Sequence, residues 1–193
     1  MKIGARSTPL SRAQVEEAKR EFGLQGPVLW VQTRGDLEQT TSLRNMGSTN
    51  FFTDVLDEML LRGDIDLAIH SAKDLPDPLP QGLKLAALSK GLDPRDSLVY
   101  KGAVQVVATS SIRREESVKK LYPKARFVDL RGPIHARLAK VGQEVDGVVV
   151  AECALIRLHL THLRRVILPG ETAPLQGKIA IVCREHEEIV FRP

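Results

Sequence analysis

The sequence predicts an α/β protein of two lobes, each a mainly parallel sheet flanked by helices, with a cleft between them. Three observations predict it. Short runs of β-formers alternate with amphipathic helical segments, the pattern of βα units. Two stretches bearing Pro and Gly, "KGLDPRDS" (90–97) and "LPGETAPLQG" (168–177), separate those units into sets. Apolar strands run into polar and charged residues, as strands do at the ligand-binding edge of such sheets. The expected organisation is a first domain of 1–92 and 174–193, re-entered by the last strand, and a second domain of 93–173. The same repeat of elements accounts for the weak likeness between "DIDLAIHSAKDL" and "EVDGVVVAECAL".

The elements follow in order. Lys2–Ala5 reads as a short, edge-like strand. Thr8 can cap a helix whose first position is Pro9, where the missing N–H costs nothing. Leu10, Ala13, Gln14, Val15 and Ala18 continue that helix, and Gly23 ends it. "VLWVQT" (28–33) is a strand of β-formers. In "FFTDVLDEMLLRG", Phe52, Val55, Leu56, Met59 and Leu60 recur at helical spacing and Gly63 is the stop. "DIDLAIHSAKDLP" (64–76) is a buried strand that ends in His70, Ser71, Lys73 and Asp74 before Pro76. Strands follow at 104–109, 126–130, 146–151 and 178–183. Helices lie in "SSIRREESVKKLY", started by Ser110 or Ser111, in "RGPIHARLAKV", and after "VDGVVV".

Composition bounds the partners. The chain has 193 residues, enough for a sizeable core, and 42% hydrophobic and 27% charged residues, as in soluble globular proteins. Nothing approaches the run of about 18 apolar residues that spans a membrane. "MKIGARSTPL" lacks an apolar signal segment, so a cytoplasmic protein is expected. Cys153 and Cys183 have no paired spacing and read as small buried apolar groups. The net charge of +4 favours anionic ligands, yet the arginines are spread over several loops and aromatics are 4%, which argues against nucleic acid. His159 and His162 are three apart but lack further ligands, so no metal is expected.

The residues after each predicted strand carry the chemistry. Arg6 and Thr8 follow the first strand, and Lys73 and Asp74 follow 64–69. Ser110, Ser111, Arg113 and Arg114 follow 104–109. Arg131 and Arg137 follow 126–130, and Arg157 lies beyond 146–151. Helix N-termini and hydroxyls bind anions, and guanidinium groups grip carboxylates in a bidentate fork. Several arginines around a single carboxylate suit a ligand with several carboxylates. Asp74 in such surroundings stays ionised and stabilises positive charge that develops during reaction.

These residues lie in motifs that resemble the porphobilinogen deaminase (hydroxymethylbilane synthase) family: "ARSTPLSRAQ", "TRGD" (33–36), "HSAKDLP" (70–76), "DPRDSLV" (93–99), "TSSIRR" (109–114), "LRG" with Arg137, and "LQGKIAIVCR" (175–184). The match is colinear over nearly the whole chain. The resemblance implies a fold like type II periplasmic binding proteins. It implies a transferase that condenses four porphobilinogens into a linear tetrapyrrole with loss of ammonia. Asp74 falls on the catalytic carboxylate. Arg6, Arg113, Arg114, Arg131, Arg137 and Arg157 fall on arginines that hold acetate and propionate groups. Thr8, Phe52, Lys73, Ser110, Ser111, Gln176 and Gly177 fall on other substrate or cofactor positions. The implied cofactor is dipyrromethane, which the family attaches to a cysteine of a third domain. That domain is expected to be absent here, and Cys183 falls on a first-domain strand instead, so either dipyrromethane is held noncovalently or chain growth starts differently. The loop "NMGSTNFF" (45–52) lacks the usual lysine and paired glycines, and "RGP" replaces Arg-Gly-Asn. The expected partner is a small pyrrole polycarboxylate, with neither nucleic acid nor membrane, and the expected state is a monomer. The alternative is a non-catalytic module that binds a pyrrole or another polycarboxylate.

Overall fold

The computed structural model describes residues 1–38 and 51–191. The chain forms two compact units. The first holds the described residues of Met1–Leu37, Ser48–Gly91 and Lys178–Pro193, and the second those of Glu38–Gly47 and Leu92–Gly177.

In the first unit, β1 (Ile3–Arg6) leads through α1 (Pro9–Phe22) to β2 (Val28–Val31). The short α2 (Arg34–Leu37) and α3 (Asp54–Arg62) precede β3 (Leu67–Ser71), and β4 (Leu83–Leu88) follows. Thr8 accepts a hydrogen bond from the Ser11 amide at 3.2 Å, and Gly23 and Gly63 end α1 and α3 in the left-handed conformation. The two faces of the sheet follow from the period of two along a strand. Leu67 and Ile69 pack with Ile3, Val15 and Ala18 toward α1, whereas Ala68 packs with Leu56, Leu60 and Ile65 toward α3. Gly4 admits that second layer, since a Cβ there would lie 2.4 Å from Ile65 Cδ1.

In the second unit, β5 (Asp96–Tyr100) and β6 (Val106–Ala108) are followed by α4 (Ile112–Lys119), β7 (Arg126–Val128) and α5 (Ile134–Ala139). β8 (Gly147–Ala151), α6 (Glu152–Arg157) and β9 (Arg165–Ile167) complete it, and β10 (Ile179–Arg184) belongs to the first unit. Val148 and Val150 pack with Leu130 and Leu155 on one side, and Val149 with Leu98, Val107 and Val118 on the other. A strand covered on both faces reads as an unbroken apolar run, which is why "VVV" does not alternate.

Two readings need refining. The sheets are mainly parallel, as expected, but each carries one reversed strand. Their orders are β2-β1-β3-β10-β4 and β7-β6-β8-β5-β9. In each, four strands share one direction, while β10 or β5 is inserted antiparallel between its two neighbours. The first strand is also no edge: β1 pairs with both β2 and β3, and Ile3 and Ala5 are fully buried. Its four residues made it look marginal, but length does not report how many neighbours a strand has. β4, β5 and β9 carry too weak a pattern to be read from sequence, and the first two residues of β5 lie in the 90–97 stretch that separates the two sets of units. Residues 45–50 of the 45–52 loop lie outside the described residues.

Candidate functional site

Each unit presents its own set of the expected residues. In the first, β1 ends at Arg6, whose guanidinium makes a two-pronged contact with Asp36, with Nε at 3.1 Å from Oδ2. Asp36 is held in turn by the Thr33 amide at 3.0 Å and the Thr33 hydroxyl at 2.9 Å. Burial pushes the Asp36 carboxyl up, but the Arg6 contact and the Thr33 bonds outweigh it and leave it below its usual range. The Phe52 ring lies against the other side of Arg6, 4.8 Å from the guanidinium carbon. Gly35 makes room for that ring: a Cβ there would lie 2.2 Å from Phe52 Cε1. The Gly35 amide also donates to Phe51 at 2.9 Å.

β3 delivers the "HSAKDLP" stretch. Ser71 accepts a hydrogen bond from Gln14 at 2.8 Å, and Ala72–Asp74 form a single 3-10 turn. That turn leaves Lys73 exposed and Asp74 half-buried directly beyond the strand. Among the described residues, no guanidinium or ammonium group pairs with Asp74, whereas Asp36, Asp54, Asp93, Asp96 and Glu152 all have arginine partners. His70 is 4% exposed, and its Nε2 has no hydrogen-bond partner among the described residues. Burial, with the nearby Arg6 charge, lowers its pKa to about 4, so the imidazole is neutral at physiological pH.

In the second unit the loop after β6 starts α4. Ser111 caps that helix by accepting from the Arg114 amide at 3.5 Å. Ser110 is a brace: its hydroxyl donates to the Leu130 carbonyl at 3.0 Å and accepts from the Leu130 amide at 2.9 Å. Arg113 and Arg114 converge on one carboxylate, Asp96. Arg114 places Nη2 at 2.7 Å and Nε at 3.1 Å from Oδ1, and Arg113 Nη1 lies 2.8 Å from Oδ2. Burial pushes the Asp96 carboxyl up, but the two guanidinium groups, Arg114 foremost, draw it below its usual range.

The other expected residues are placed as follows. Arg131 donates to the Glu38 carbonyl at 2.5 Å, and Arg137 to the Gly132 carbonyl at 2.6 Å. Arg157 is only 8% exposed and donates to the Gly177 carbonyl at 2.8 Å. Gln176 donates to the Pro94 carbonyl at 2.6 Å and to Asp96 at 3.0 Å. Gly177 has a φ of 92°, and a Cβ there would meet the Leu92 carbonyl oxygen at 2.4 Å.

One expectation fails. Asp74 is not a solitary carboxylate among arginines: Asp36 and Asp96 are each bound to them. The motifs "TRGD" and "DPRDSLV" contained both, but no spacing links Asp36 to Arg6 or Asp96 to Arg114, which are 30 and 18 residues apart. The two cysteines are core residues, with Cys153 5% and Cys183 0% exposed, and burial pushes the Cys183 thiol up. Neither offers an accessible thiolate.

Two sheets of this pairing plan place the protein among periplasmic-binding-protein-like α/β domains. An ancestral cationic amino acid solute binding protein matches 97% of this chain and 82% of its own with a TM-score of 0.52 at 14% identity. The OxyR2 regulatory domain from Vibrio vulnificus matches 97% and 87% with a TM-score of 0.51 at 17% identity. These likenesses concern the fold. The family follows from sequence: the model described as "Porphobilinogen deaminase, dipyromethane cofactor binding domain" matches residues 1–192. A probable porphobilinogen deaminase of Chlamydia muridarum is 38% identical over 96% of this chain and 82% of its own. The porphobilinogen deaminases of Caldicellulosiruptor saccharolyticus and Thermus thermophilus are each 37% identical, over 95% and 97% of this chain and 69% and 66% of theirs. The chain belongs to the porphobilinogen deaminase family, transferases of tetrapyrrole biosynthesis, and the matched region is that family's dipyrromethane-binding domain.

Proposed function

We propose that this chain acts as a hydroxymethylbilane synthase, joining porphobilinogens head to tail with release of ammonia. The reading rests on one observation above the others: Asp74 is a half-buried carboxylate directly beyond β3, with no cationic partner among the described residues. Loss of ammonia from the aminomethyl group leaves a pyrrole cation. A carboxylate already neutralised by arginine would offer that cation little. An unneutralised one stabilises it and accepts hydrogen bonds from pyrrole N–H groups. Attack by the free α-carbon of the next pyrrole then forms the new carbon–carbon bond and releases that carbon's proton.

The donor chemistry of the second unit fits the acetate and propionate carboxylates that dipyrromethane and porphobilinogen share. Arg113, Arg114, Arg131, Arg137 and Arg157 would hold them, with Ser111 and Gln176 beside these. When bound, dipyrromethane supplies the pyrrole at which chain growth begins. The buried cysteines do not fit thioether attachment, and the arginines named here would hold the group through ion pairs and hydrogen bonds. Arg6, stacked on Phe52 and tied to Asp36, presents its remaining donors toward one further carboxylate.

The test is incubation of the purified protein with porphobilinogen and synthetic dipyrromethane. Stoichiometric ammonia release and loss of Ehrlich-reactive substrate are expected, and Asp74→Ala should lower the rate by at least about a hundredfold, the scale of one lost electrostatic contact. Ammonia release unaffected by Asp74→Ala, or tight porphobilinogen binding with no ammonia from the parent, would sink the reading.

A further inference from the structure

The geometry points to Asp96 as the positioning residue of the second unit: one buried carboxylate that orients Arg113, Arg114 and Gln176 together and tunes them to take a single ligand carboxylate. This deepens the proposed function and rests on it for the identity of the ligand.

Asp96 is the first residue of β5, a strand paired on both sides by β8 and β9. Its carbonyl accepts from the Leu168 amide at 2.8 Å, and it faces Ala151 across the ladder. The backbone is therefore fixed by the sheet, and the side chain is 3% exposed. From this anchor Oδ1 receives Arg114 through Nε and Nη2 and Gln176 through Nε2 at 3.0 Å, while Oδ2 faces Arg113 Nη1. Arg113 is held a second time by donating to the Glu171 carbonyl at 2.7 Å. The converging residues come from two separate parts of the chain, α4 and the segment before β10. Without the carboxylate, two guanidinium groups side by side on α4 would repel each other and splay toward water.

The unused donors define what the hub takes. Arg114 Nη1, and Arg113 Nε and Nη2, make no hydrogen bond to any described residue. Two cations and one anion leave a single net positive charge. That suits one carboxylate, gripped by preordered donors whose rotamer freedom is already lost. An arginine pair without Asp96 would carry more charge and less order.

The two roles open to Asp96 differ in the sign of their effect. If it merely damps positive charge, Asp96→Asn strengthens binding of porphobilinogen. If it positions, the same variant weakens it. Calorimetry with porphobilinogen is expected to show at least tenfold weaker binding for Asp96→Asn. Asp96→Glu, which keeps the charge but overreaches the geometry, should not restore it. Turnover should show a raised KM with a smaller change in kcat. Unchanged or tighter binding by Asp96→Asn overturns the inference.

A second readout needs no ligand. In nitrogen-15 spectra the Nε–H of Arg114 should exchange slowly with solvent in the parent and quickly in Asp96→Asn, with the thermal transition confirming that the variant is folded. Fast exchange in the parent refutes the hub whatever the ligand does. Slow exchange in a parent that fails to bind porphobilinogen refutes the proposed function instead and leaves the hub standing.

Discussion

Lowering the pH should cost this fold stability through one buried side chain, His70. Its folded pKa is about 4 against an ordinary 6.5, because burial and the Arg6 charge disfavour the imidazolium. The unfolded chain therefore takes up a proton between those values while the folded chain does not, so stability falls as pH falls through that window. Linkage gives about 2 kcal/mol lost between neutral pH and about pH 5, and about 3.4 kcal/mol once the pH is below both values. The assay is urea denaturation at about pH 7.5 and about pH 5, followed through the fluorescence of Trp30. That residue is the sole tryptophan of the chain and lies on β2 of the same unit. Other groups titrate nearby. Asp57, whose carboxyl is pushed up mainly by burial, acts with the opposite sign, because its protonation favours the fold. The comparison with His70→Leu cancels those contributions. Since Nε2 has no partner among the described residues, leucine removes an unsatisfied polar atom and should be tolerated at neutral pH. The variant should lose about 2 kcal/mol less than the parent between the two pH values. Equal losses in both proteins would refute the argument.

Two substitutions test the supports of the site. Gly35→Ala places a methyl group against the Phe52 ring, at 2.2 Å from Cε1 before relaxation, and should push the ring off Arg6. Thermal melts should register about 1–3 kcal/mol of overpacking, and porphobilinogen affinity should fall with it. Gly177→Ala meets a backbone oxygen at 2.4 Å in a left-handed conformation, where no side chain can yield. A loss of about 1–3 kcal/mol in denaturation midpoints is expected, with weaker porphobilinogen binding because Arg157 is anchored on the Gly177 carbonyl.

Much of the architecture was legible in local pattern. Thr8-Pro9 marked the start of α1, Gly23 and Gly63 the ends of two helices, and "VVV" a strand buried on both faces, because caps and burial leave their mark within a few neighbouring residues. The α/β class and the family motifs were visible for the same reason. The mixed character of the sheets was not. Whether β10 enters antiparallel between β3 and β4 depends on the path of the chain, and its residues would look the same either way.

The candidate site divides along the same line. The sequence by itself determined which chemical groups follow the strands: arginines, hydroxyls and Asp74, each at the end of a strand or in the loop or helix after it. Only the tertiary structure decided how those groups are employed. It ties Arg6 to Asp36 and gathers Arg113, Arg114 and Gln176 on Asp96, at separations of up to 80 residues, while pairing no described cation with Asp74. Charge pairing depends on distance through space, and no spacing along the chain records it; folding alone decides which carboxylates the arginines neutralise.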